Sequence, residues 1–92
     1  MSPERWMYPD ELGEALLTFG LRPLDSTPPR VVRDALNDLY RFELRRMRDR
    51  LRAGGMERPE YLDRVVALRK KYWPLTLPLG AWERICRREM GN

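Results

Sequence analysis

The residues with the clearest chemical potential are arginines. The segment RFELRRMRDRLR, residues 41 to 52, contains six of them, and only Glu43 and Asp49 oppose their charge. At about 100° per residue, Arg41, Arg45, Arg48 and Arg52 fall within roughly 60° of one another over three helical turns. Such a stripe presents planar guanidinium forks that suit carboxylates and phosphates. The segment also accounts for the whole net charge of +4, because the other eighty residues hold twelve basic and twelve acidic side chains. A positive field concentrated in one place steers anionic partners toward it.

A solvated helix back explains part of the same pattern. Asp49 lies four residues after Arg45 and three before Arg52, within pairing reach of both, and basic residues near a helix C-terminus are favoured by the helix dipole. Arginine outnumbers lysine sixteen to two over the whole chain, so codon usage accounts for its abundance as well as recognition does. Helices that read DNA sequence mix Asn, Gln, Ser or Thr among their arginines, and this segment has none. RNA modules stack bases on exposed aromatics beside basic residues, and here only Phe42 qualifies. The segment therefore divides between two readings, chiefly a solvated helix back and beside it a docking stripe for an acidic protein surface, with nucleic acid as a further alternative.

Other chemistries find little material. The chain has no histidine, which removes the commonest general base and metal ligand. Cys86 stands alone between apolar helical positions, where a buried structural thiol is expected. Most acids fall near helix starts or on outward faces; Glu43 alone projects into an apolar arc, and Arg46 and Arg50 are expected to neutralise it. Serine lacks an activating base, and the glycines at 13, 20, 54, 55, 80 and 91 form no phosphate-cradling loop. No catalytic residue, metal site or cofactor is expected. Trp, Tyr and Arg, by contrast, are the side chains that carry protein interfaces. The residues expected to bind a partner are therefore Trp6, Tyr8, Phe42 and Trp73 with Arg41, Arg45, Arg48 and Arg52.

Helices must position these groups. Leu12, Ala15, Leu16 and Phe19 recur at helical spacing, giving a first helix over 9–19 that Gly20 ends. A proline-rich connector leads to a long second helix over 28–53, capped by Ser26 or Thr27, with Pro28 and Pro29 in its first turn and Gly54 and Gly55 at its end. Val32, Leu36, Leu39, Tyr40, Leu44, Met47 and Leu51 form its core arc. Phe42, with Val31 and Ala35, lies on a second narrow apolar arc, either touching neighbouring helices or exposed as an anchor. A third helix over 59–72 sets Tyr61, Leu62, Val65, Leu68 and Tyr72 on one face and forms an antiparallel hairpin with the second. In WPLTLPL, Leu75, Leu77 and Leu79 alternate with Pro74, Thr76 and Pro78, predicting an extended strap over 73–79. A last helix over 79–90 places Trp82, Ile85, Cys86 and Met90 on one side.

Ninety-two residues with 42% hydrophobic and 35% charged side chains suit one small globular domain over 1–92. Residues 1–8 read as a docking arm, since Trp6 and Tyr8 give apolar bulk to a terminal segment. No apolar run approaches the ~20 residues of a membrane span, and no secretory or transit signal is recognisable, so the expected compartment is the cytoplasm. The expectation is an all-α protein of four helices with a long central hairpin. Its expected role is that of a non-enzymatic accessory subunit or adaptor that binds a larger protein. The alternatives are a nucleic-acid-binding module using the same stripe and a homo-oligomeric helical scaffold.

Overall fold

Each helix in the computed structural model, which describes residues 5–87, begins and ends where backbone chemistry allows. The elements are α1 (Asp10–Thr18), α2 (Pro29–Arg52), α3 (Arg58–Lys71) and α4 (Leu79–Cys86), with a 3-10 turn over Trp73–Thr76. Among the described residues there is no strand, only an isolated antiparallel bridge between Trp6 and Arg87. The fold is all-α, and none of these helices is long and apolar enough to cross a membrane.

Glycine terminates α1 and α2 in the same way. Gly20 and Gly54 take positive φ, 76° and 80°. Each donates its N–H back to the carbonyl three residues earlier, and the residue after each reaches the carbonyl five residues earlier: Leu21 to Leu16 at 3.0 Å, and Gly55 to Arg50 at 2.9 Å. That double closure satisfies carbonyls that a helix end would otherwise leave open. Prolines mark the starts: Pro29 opens α2 behind Pro28, and Pro59 sits in the first turn of α3. Thr27 does not cap α2 as expected. Its hydroxyl accepts from the Leu24 N–H, and its carbonyl accepts from the Tyr8 hydroxyl at 2.6 Å.

The core lies at one end of a long molecule measuring 58 × 20 × 19 Å. Leu12 and Leu16 of α1, Val32 and Leu36 of α2, Leu68 of α3, Tyr72, and Trp82 and Cys86 of α4 bury together there. Trp82 is fully enclosed, and its indole N–H donates to the Pro74 carbonyl at 2.8 Å. Arg33 of α2 crosses to the same connection, donating to the Leu77 and Leu75 carbonyls at 3.1 and 3.3 Å.

Three expectations are corrected here. The 73–79 segment is not extended throughout: Trp73–Thr76 coils into a 3-10 turn, because Pro74 has the φ such a turn needs and its carbonyl is gripped by Trp82. The last helix stops at Cys86, since Arg87 turns extended to pair with Trp6; Met90 lies outside the described residues. Residues 5–8 are not a free docking arm. The Trp6 N–H bonds the Asp25 carbonyl, the Met7 N–H bonds the Cys86 carbonyl, both at 2.7 Å, and the Trp6 ring is only 9% exposed within the core. The remainder of that arm, residues 1–4, lies outside the described residues.

If Trp6 belongs to the core and Phe42 does not, truncation separates them. Trp6→Ala is expected to lower unfolding free energy by about 3–5 kcal/mol, whereas Phe42→Ala stays within about 0.5 kcal/mol of the parent. Urea unfolding followed by helical circular dichroism measures both.

Candidate functional site

The second and third helices outrun the core. All three buried residues of α2, Pro29, Val32 and Leu36, lie in its first eight positions, and α3 buries only Leu68 near its C-terminal end. The rest of the pair, from which Leu39, Tyr40, Leu44 and Met47 still pack half-buried against the core, projects as an arm closed at its tip by the buried Met56. The arginine stripe lies on this arm.

Arg41, Arg45, Arg48 and Arg52 are all exposed. Arg41, Arg45 and Arg48 gather around half-buried Leu44 to line an open groove of about 200 Å³. Among the described residues the ion pairs are Arg5–Asp25, Arg64–Glu60 and Lys71–Glu43. The six arginines of residues 41–52 therefore face no carboxylate at pairing distance. Asp49 does not neutralise Arg45 or Arg52, although its spacing allows it. Like charges three or four residues apart on a helix destabilise it by about 0.2–0.5 kcal/mol per pair. An anionic partner would relieve that repulsion.

Glu43 has different partners from those expected. It points across the hairpin to α3, where it accepts from the Tyr72 hydroxyl and meets the Lys71 ammonium at 3.8 Å; Arg46 and Arg50 do not pair with it. Lys71 in turn lies 5.3 Å from the Phe19 ring centroid, and the Tyr72 ring packs against Phe19 and Tyr40 at 4.2 and 5.1 Å. Burial first, then the bond and the charge of Glu43, push the Tyr72 hydroxyl above its ordinary value, so the phenol stays protonated and donating. The cluster latches the base of the arm to the core.

The aromatic residues divide. Phe42 is 56% exposed, and the Arg46 guanidinium lies 5.9 Å from its ring centroid, so of its two expected placements the exposed one is realised. Trp73 is half-buried against the core. Trp6 and Tyr8 are spent on the domain itself, Trp6 by burial and Tyr8 by its bond to Thr27. The structure therefore brings together Arg41, Arg45 and Arg48, with Arg52 and Phe42 on the same arm, and separates them from Trp6, Tyr8 and Trp73.

Two residues escaped the sequence reading. Leu62, expected on the inner face of α3, is 55% exposed, and Val66 is 52% exposed. The signal was present in the spacing. Tyr61, Val65, Leu68 and Tyr72 form one row at intervals of four, three and four, and Leu62 and Val66 begin a second row displaced by about 100°.

No protein-family model matches the chain, and no curated protein or solved structure matches it. The geometry alone carries the functional argument.

Cys86 is fully buried, as a packing role requires, and burial pushes its thiol from 9.0 up to about 11. Above its own lower value the unfolded chain releases this proton while the folded chain keeps it, so stability is complete at lower pH and falls as pH rises through that window. Tyr8 and Tyr72, raised chiefly by burial from 10.0, extend the loss to higher pH. The urea midpoint should decline progressively from pH 9 to about 11, and Cys86→Ala should flatten the decline in that interval.

Proposed function

We propose that this protein is a non-enzymatic interaction protein, an accessory subunit or adaptor that engages an acidic surface of a larger protein through its projecting arm. The observation that carries this reading is the set of exposed arginines on α2, held in a row and facing no carboxylate among the described residues. A solvated helix back would be expected to balance its charges, as Glu60 and Arg64 do on α3. Guanidinium groups are weakly hydrated and fork-shaped, so they give up water readily to bidentate carboxylates. Phe42, exposed beside Arg46, adds an aromatic contact on the adjacent side of the same helix.

The same arginines would also neutralise phosphates. The segment still lacks the amide and hydroxyl side chains that read base edges, and its one exposed aromatic is attended by an arginine. Nucleic acid is the competing outcome of the test.

The test compares the parent with a variant carrying Arg41→Glu, Arg45→Glu, Arg48→Glu and Arg52→Glu as baits in nuclease-treated lysate of the source organism. The expected result is one stoichiometric protein on the parent, absent from the variant, while circular dichroism shows equal helicity. Equal recovery on both baits removes the stripe from the account. Capture that vanishes with nuclease, and a log affinity for duplex DNA that falls by about 0.9 per phosphate contacted with log salt, replaces the protein partner with nucleic acid.

A further inference from the structure

The chemistry of the partner can be narrowed from the register of the hairpin. On α2 the seam toward α3 consists of Tyr40, Glu43, Met47 and Leu51, all half-buried. Glu43 and Tyr40 fix its direction through their contacts with Tyr72. On α3 the facing seam is Tyr61, Val65, Leu68 and Tyr72. One residue beyond a seam position lies about 100° further round a right-handed helix. Because α2 and α3 run antiparallel, that rotation carries the next residues of both helices to the same side of the hairpin. From α2 these are Arg41, Leu44, Arg48 and Arg52; from α3 they are Leu62, Val66 and Arg69.

One face of the arm thus has an aliphatic floor of Leu44, Leu62 and Val66 beside the arginine row of α2, with Arg69 contributed by α3. Among the described residues it has no carboxylate: Glu43 lies in the seam, Glu60 precedes its seam residue and so lies on the opposite face, and Asp49 and Asp63 fall on the outward backs of their helices. Leu62 and Val66 are each more than half exposed. The groove of Arg41, Leu44, Arg45 and Arg48 is the α2 side of this same face.

We infer that this face receives an acidic amphipathic helix of the partner protein, whose apolar residues cover Leu62 and Val66 while flanking Asp or Glu side chains pair with the arginines. The inference rests on the acidic-partner reading above and specifies the form the acid takes. A third helix laid on a two-helix arm completes a three-helix packing, and Arg41 to Arg52 spans about 16 Å, room for roughly three turns. Duplex DNA would leave Leu62 and Val66 against a phosphate backbone with nothing apolar to cover them. A second copy of this chain, docked face to face, would set the arginine row against itself.

The test uses the full-length protein, labelled for NMR, and four probes. They are a synthetic helix of about 18 residues with Leu on one side flanked by Glu, its Lys-for-Glu counterpart, a glutamate homopolymer of equal length, and a short DNA duplex. The acidic helix is expected to bind about tenfold tighter than the homopolymer, shifting the resonances of Leu44, Leu62 and Val66. Leu62→Ser with Val66→Ser, both surface positions, should reduce it to the homopolymer's affinity. If helix and homopolymer bind alike and the double variant changes nothing, the aliphatic floor is overturned and the acidic-partner reading stands. If the Lys counterpart binds equally, or no acidic probe binds, both are overturned. Tightest binding by the duplex overturns both in favour of nucleic acid.

Discussion

A helix of 24 residues is about 36 Å long, and the molecule that contains it is 20 by 19 Å across its short axes. That mismatch governs the structure. A domain of this size can cover only the first third of α2, where Pro29, Val32 and Leu36 are buried. The remainder must leave the core, and it can do so only alongside a second helix that shares its apolar seam. The glycine closure at Ala53–Gly55 turns the chain sharply enough for α3 to return along α2.

The core then acts as a mount for the arm. Trp82 ties α4 to the 3-10 turn through the Pro74 carbonyl, and Arg33 ties that turn to α2 with two further bonds. The N-terminal segment closes the other side, joining the connector at Asp25 and the end of α4 at Cys86. At the junction, Tyr72, Glu43, Lys71 and Phe19 form a mixed polar and aromatic cluster. Partial burial strengthens its hydrogen bond and keeps the Tyr72 phenol protonated. Beyond that cluster, Leu68 apart, residues on the arm are at best half-buried until Met56.

The helices were legible because a 3.6-residue period and glycine stops are local properties, and the first three lie within a residue of their expected ends, whereas the last stops at Cys86 and not at residue 90. The turn at Trp73–Thr76 was not, because alternating Leu and Pro suits both an extended strand and a 3-10 turn. The choice was made by a carbonyl bond from Trp82, eight residues away. The burial of Trp6 was equally hidden, since three residues ahead of the first helix carry no period and their partners are Asp25, Cys86 and Arg87. Glu43 shows the limit of reading one helix at a time: its neighbours on the same wheel are arginines, but its partners came from α3. The stripe itself was visible in projection. That its arginines face no acid among the described residues, and that they share a side with Leu62 and Val66, needed the register between two helices.

One end of α2 is held by a core, and the other is left open with its charge exposed. Residue-resolved native-state hydrogen exchange tests this most directly. Amides around Val32, Leu36 and Trp82 are expected to exchange only through global unfolding, while those from Arg41 to Arg52 and around Leu62 exchange through cheaper local opening of the arm. Uniform protection along the whole of α2, equal to that of Trp82, would contradict it.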